Sequence, residues 1–236
     1  MITLACISAV STLRSQDINA LMKGSTVVGG GISVSSSDDE FEPDAFDPDR
    51  IQTTDITSFS FRPYAGKFIK DRLLLGGRLL LTTLDRESNT RDINFSSVTE
   101  SDEFSIGLGV FLRKYYPIAG KFGAFFETGV DFSVFNSDSE RSNFNDQDLI
   151  GEFSTEIDGS QITAEIDLGL YVFLGERFSL ETSLGNLAFR QSWEDITRRD
   201  LFQDTTNESS TERSNFNINF INQISFDQLI TVNYFF

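Results

Sequence analysis

From Phe216 to Phe236 the chain alternates, and that alternation constrains its fold more than any other feature. Phe216, Ile218, Phe220, Ile224, Phe226, Ile230, Val232, Tyr234 and Phe236 share one parity, and Asn217, Asn219, Gln223, Ser225, Asp227, Thr231 and Asn233 fill the other. Asn222 and Gln228 interrupt the apolar face; Ile221, Leu229 and Phe235 interrupt the polar one. A period of two belongs to a strand, whose successive side chains point to opposite faces. About twenty residues at roughly 3.4 Å each exceed an ordinary globular strand several-fold. The length suits a strand that crosses a bilayer at a tilt and continues above it.

The pattern recurs upstream. Phe122, Ala124, Phe126, Val130, Phe132 and Val134 oppose Gly123, Glu127, Gly129, Asp131 and Ser133. Ile162 to Val172, Phe104 to Leu112, Phe59 to Ala65, Leu73 to Leu81 and Val28 to Val34 repeat it, and Phe178 to Phe189 does so with a phase slip that a bulge at Gly185-Asn186 explains. Short links fall near Phe68–Arg72, Pro117–Lys121 and Leu174–Arg177; long ones fall near Asp38–Gln52, Asp85–Glu103, Phe135–Gly159 and Trp193–Ser214. Short turns on one side and long loops on the other predict an all-β, eight-stranded antiparallel up-and-down transmembrane β-barrel, with short periplasmic turns and long acidic extracellular loops. All five tyrosines (Tyr64, Tyr115, Tyr116, Tyr171 and Tyr234) lie near the short-turn ends, which predicts an interfacial aromatic girdle.

Composition agrees once periodicity is known. No segment approaches the ~20 apolar residues of a spanning helix, and a barrel that alternates keeps its mean hydropathy near neutral. A net charge of −17 excludes nucleic acid as a partner, since a phosphate-binding surface needs clustered Lys and Arg. A soluble β-sandwich or lipocalin-like barrel is the competing fold. The polar faces, rich in Gly and Ser and poor in Lys, suit a crowded lumen better than a solvated surface.

Residues 1–20 read as a signal peptide, possibly truncated, ahead of a barrel domain over 21–236: Ile2–Val10 is apolar, Ser11–Ala20 polar, and no Lys or Arg precedes the apolar run. Thr3-Leu4-Ala5-Cys6 is a poor lipid-attachment site.

Two stretches carry a resemblance. Lys23-Gly24-Ser25-Thr26-Val27-Val28-Gly29-Gly30 and the run Phe61-Arg62-Pro63-Tyr64-Ala65-Gly66-Lys67-Phe68 through Gly76-Gly77 resemble the small outer-membrane β-barrel family of Bacteroidetes-type bacteria, related in architecture to OmpA and OmpX barrels. The resemblance spans about residues 23–236. It implies a Gram-negative outer membrane, with its lipid and lipopolysaccharide as surroundings. It also implies that the terminal Tyr234-Phe235-Phe236 serves as a signal to the barrel-assembly machinery, carried by Tyr234 and Phe236.

With strand phases fixed, Arg62, Arg78, Arg113, Glu127, Asp131, Glu165, Asp167 and Glu181 point inward. An eight-stranded barrel is just wide enough for side chains to fill it, and enclosed charges are tolerated only when paired. The expectation is a salt-bridged, occluded lumen; the alternative is a narrow cation-preferring channel. The pairs Glu127/Asp131 and Glu165/Asp167 have the look of catalytic carboxylates, but a two-residue spacing follows from the inward face alone. The chain has no His, which excludes a Ser-His-Asp triad and His metal ligation. No cofactor motif is present. Asp38–Asp49 carries seven carboxylates, hard oxygen ligands suited to calcium or to divalent bridging of lipopolysaccharide, although the EF-hand spacing is missing. Phe41, Phe46, Phe144, Phe153, Trp193 and Phe202 could anchor a loop-binding partner or pack loop on loop.

Overall fold

The computed structural model describes residues 19–41, 51–92, 95–145, 148–220 and 230–236. The leader and Cys6, the acidic stretch from Glu42 to Asp49, and the alternating residues 221–229 lie outside them. After a 3₁₀ turn at Asn19–Leu21, the strands are β1 (Thr26–Phe41), β2 (Ile51–Lys70), β3 (Leu73–Arg91), β4 (Phe95–Ala119), β5 (Phe122–Asn145), β6 (Asp148–Phe173), β7 (Phe178–Asp200), β8 (Thr205–Phe220) and β9 (Ile230–Phe235). Each pairs antiparallel with its predecessor from β1 to β8, and β9 joins β1 to β7, so the sheet closes on itself. The upper part of β7, Gly185–Asp200, pairs with β8, and its lower part, Phe178–Thr182, pairs with β9. The expected C-terminal strand therefore forms one stave in two described pieces, and the barrel has eight staves. The register slip between Leu168 and Gly169 falls opposite Gly185, where the sequence phase breaks.

Side-chain exposure is inverted relative to a soluble domain. Leu108 and Val110 are each 63 % exposed, whereas Glu127 and Glu181 are each 3 % exposed. A belt of outward Val, Ile, Leu and Phe rings the wall, and leaving one such side chain in water costs about 1.5–3 kcal/mol relative to burial. The belt fits lipid, and a solvated sandwich does not produce it. No helix among the described residues is long and apolar enough to cross a membrane.

Two expectations change. First, most residues assigned to long loops continue the strands: β3 runs to Arg91, β5 to Asn145 and β7 to Asp200. Above the belt the alternation persists between two polar sets, as in Ser137-Asp138-Ser139-Glu140. Hydroxyls face inward and bond across strands (Ser35–Ser58 2.6 Å, Thr54–Ser88 3.3 Å, Ser60–Thr82 3.4 Å). Carboxylates face outward in directly opposed rows: Asp38, Asp55, Glu87, Glu100 and Glu140 in one, Asp85, Asp102, Asp138 and Glu156 in the next.

Second, the tyrosines do not form a common girdle. Tyr64, Tyr115 and Tyr171 are buried in the lumen; only Tyr116 and Tyr234 face outward. The three buried rings share the parity of the inward charges, and parity decides the side of the wall. The tight turns select unusual backbone: Arg72 ends the β2–β3 turn at φ 64°, and Gly120 opens the β4–β5 turn at φ 53°.

Candidate functional site: the charged lumen

Period-two alternation brings Arg78 of β3, Arg113 of β4, Glu127 and Asp131 of β5, Glu165 and Asp167 of β6 and Glu181 of β7 to the inner wall. Two guanidiniums organise them. Arg78 grips Asp131 with two bonds, Nε to Oδ1 at 2.7 Å and Nη2 to Oδ2 at 2.7 Å. Its Nη1 donates to Glu127 Oε1 at 2.7 Å, and Nη2 also pairs with Glu165. Arg113 Nε donates to Glu127 Oε2 at 2.5 Å, while its Nη1 donates to Glu181, to Tyr64 Oη at 3.0 Å and to Tyr115 Oη at 3.3 Å. Glu127 therefore bridges the two arginines. Bidentate, charge-assisted bonds of this kind are the strong class of hydrogen bond, and the pairing offsets the desolvation of charges that are each under a tenth exposed.

Glycines make room for this layer. A Cβ on Gly109 would collide with the Asp131 carboxylate, and one on Gly129 would sit 2.6 Å from Arg78 Nη2.

Two expected members stand apart. Arg62 and Asp167 are half-buried, and neither forms an ion pair among the described residues. The Nε of Arg62 is enclosed without a hydrogen bond. Asp167 lies beside Glu127 and Glu165, and oxygens of all three fall within 4.8 Å of one another. Such a trio has the spacing of a metal site, but Arg78 already pairs with two of its members.

Sequence reasoning missed the neutral half of the network. Tyr115 Oη donates to Glu181 Oε1 at 2.9 Å, Tyr64 Oη donates to Asn233 Oδ1 at 2.5 Å, and Asn233 Nδ2 donates to Ser179 Oγ at 3.0 Å. Phe125 and Tyr64 flank Arg113, with its Cζ 4.6 and 5.0 Å from the two ring centroids. The available signal was parity: Tyr115 follows Arg113 by two residues, and Phe125 precedes Glu127 by two.

Beneath the charges, toward the short turns, the lumen is aromatic. Tyr115, Tyr171, Phe173, Phe235 and Phe68 stack around the bore with centroids 5.1–6.3 Å apart, and Leu21, Val27 and Leu74 fill the remainder. Tyr234 and Phe236 face outward instead. The Tyr234 ring packs edge-on against Phe178 at 4.9 Å and Phe236 at 4.6 Å.

The lumen thus has three levels: an aromatic floor, an Arg–carboxylate layer and a hydroxyl-lined upper tube. No protein-family model matches the chain, and no curated protein matches it. Among solved structures it is similar to the outer membrane protein OprG from Pseudomonas aeruginosa, with 15 % identity, 91 % of this chain and 97 % of that one covered, and a TM-score of 0.46. It is similar to a major outer membrane protein from Thermus thermophilus, with 12 % identity, 90 % and 99 % covered, and a TM-score of 0.46. Outer membrane protease OmpT from Escherichia coli is similar at 8 % identity, 90 % and 97 % coverage and a TM-score of 0.37. These are likenesses of general outline; the chain is a transmembrane β-barrel on its own register and its own apolar belt.

Proposed function

We propose that the chain is an occluded outer-membrane barrel with a structural or surface-interaction role, placed in a Gram-negative outer membrane. The observation that carries this reading is the Arg78–Glu127–Arg113 bridge stacked on the aromatic floor. Two consecutive layers of side chains fill a bore that eight staves leave narrow. A pore would need a continuous water path, and paired charges over close-packed rings favour none.

The finer assignment, to the small barrel family of Bacteroidetes-type bacteria, belongs to the same proposal and rests on the Lys23–Gly30 and Phe61–Gly77 segments. So do the partners. Lipid contacts the belt, and divalent cations bridge the outward Asp and Glu rows to lipopolysaccharide phosphates. The assembly machinery reads the outward Tyr234 and Phe236. A partner at the tips would meet exposed rings such as Phe153 and Phe202. Catalysis is not part of the reading: the chain carries no His, and Glu127, Asp131, Glu165 and Glu181 are engaged by guanidiniums.

A narrow cation-preferring channel is the second reading. It is favoured by one observation: the charged layer sets five carboxylates against the two guanidiniums that pair within it, Arg78 and Arg113, and leaves Asp167 outside the ion pairs. Conductance across a planar bilayer, with refolded protein checked by heat-modifiable gel mobility, separates the two. A silent bilayer supports the occluded barrel, and steady cation-selective openings replace it with the channel.

A further inference from the structure

The acidic surface has one conspicuous inversion. Near the extracellular rim of β5, β6 and β7 a cavity of about 780 Å³ is lined by Arg141, Arg198 and Arg199, together with Thr99, Asn143 and Asn207. Whole-chain composition opposes such a grouping, with 19 basic against 36 acidic residues.

The wall explains how it arises. On the inner face one rung carries Ser101, Ser139, Thr155, Arg198 and Asn207, and the next carries Thr99, Arg141, Phe153, Asp200 and Thr205. The outward rows take most of the carboxylates, so the alternation separates Arg141 and Arg198 from them, while Arg199 sits on the outward parity at the rim. Arg141 Nε donates to Ser97 Oγ at 3.0 Å and to Asn143 Oδ1 at 3.1 Å, which anchors the guanidinium without neutralising it. Among the described residues neither Arg141 nor Arg198 has a carboxylate at ion-pair distance, and Arg199 has only a loose one, Glu156 at 3.9 Å. The one carboxylate in the lining, Asp200, is occupied: its Oδ1 accepts from the backbone N–H groups of Phe202 and Gln203.

We propose that this cavity is a binding site for a small oxyanion-bearing ligand, a phosphate or carboxylate group on a hydroxyl-rich, sugar-sized body. Its volume is in the range of small-molecule sites. Guanidinium forks match planar or tetrahedral oxyanions two bonds at a time. The amides and hydroxyls between them suit a polyol, and a concave mouth concentrates the local positive potential. The site stands whether or not the lumen beneath it conducts.

The test uses the full chain refolded in detergent micelles, with glucose 6-phosphate, glucuronate and glucose as probes in titration calorimetry. Saturable binding of either acidic sugar is expected, with none of glucose; which acid binds tells phosphate from carboxylate. Arg198→Gln, which breaks no ion pair, should weaken binding about tenfold or more and leave the melting temperature unchanged. Arg141→Gln should weaken binding likewise and serves as the second variant. Absence of saturable binding by both acids overturns the site, as does wild-type affinity in a folded Arg198→Gln protein.

Discussion

Arg113 and Glu127 are direct cross-strand partners in the β4–β5 ladder, and their side chains meet at 2.5 Å inside the barrel. The same Glu127 reaches Arg78 at 2.7 Å, so a single carboxylate ties three strands together through its two oxygens.

Replacing Arg113 by Ala leaves Glu127 and Glu181 facing each other without their shared cation. Breaking a buried pair from one side costs about 3–5 kcal/mol, and the expected result is a clear fall in the unfolding temperature in detergent. Arg62→Ala, which removes no ion pair, should fall much less. Equal losses in the two variants would mean that Arg113 does not hold the layer.

Gly109→Ala tests the space reserved for the network. The added Cβ meets the Asp131 carboxylate and forces it off Arg78, so the melting temperature should drop. Gly77→Ala is the control, since its Cβ would meet only the Gly109 carbonyl oxygen, at 3.6 Å. A Gly109→Ala protein as stable as Gly77→Ala would refute the steric account.

Phe68→Ala opens the aromatic floor. Phe68 is 1 % exposed and packs on Tyr115 and Phe235. Truncating a buried Phe costs ~3–5 kcal/mol. Loss of stability without conductance keeps the charged layer as the plug; new conductance in planar bilayers assigns that role to the floor.

Acidification should tighten the outer wall above the belt. Asp55 is raised above the usual 3.8 by partial desolvation first, then by the facing Asp38, with which it shares a hydrogen bond, and by Glu87. A carboxyl whose folded pKa lies above its unfolded value contributes stability that is fully present below the unfolded pKa and is lost as pH rises through the folded one. Backbone amides of β1–β3 near Asp55 should therefore exchange faster as pH climbs above about 4, after correction for intrinsic rates. Asp55→Asn should flatten that dependence. A wild-type profile already flat would show that the row carries no strain.

Parity was legible in the sequence, and height was not. The alternation assigns Arg62 to the lumen as surely as Arg78, but only the register shows what lies beside each. The rung of Arg78 continues through Gly109 to Asp131. The rung of Leu80, at the level of Arg62, continues through Gly107 and Ser133 to Gln161 and holds no carboxylate. Pro63, which lacks an N–H, coincides with a gap in the β2–β3 ladder between Phe61 and Tyr64. The upper wall was hidden for a different reason. Hydrophobicity marks a strand only where one face is apolar, and Ser-Asp alternation pairs its backbone just as well with no such contrast. Tyr115 and Tyr171 sit near the short turns, as a girdle requires, but carry the parity of the lumen, and parity prevails.

The long paired strands give the molecule reach. On β6, Asp148 to Ser160 lies beyond the last lipid-facing isoleucine, Ile162, and 13 residues of strand extend about 40 Å. The barrel therefore stands like a chimney, its flue lined with hydroxyls and its brickwork studded with acid. A large visitor such as an antibody or a phage fibre would touch the rim long before it reached the bilayer. Substitutions at that rim, around Leu201–Asp204, would alter the surface a visitor meets first while leaving the hearth below untouched.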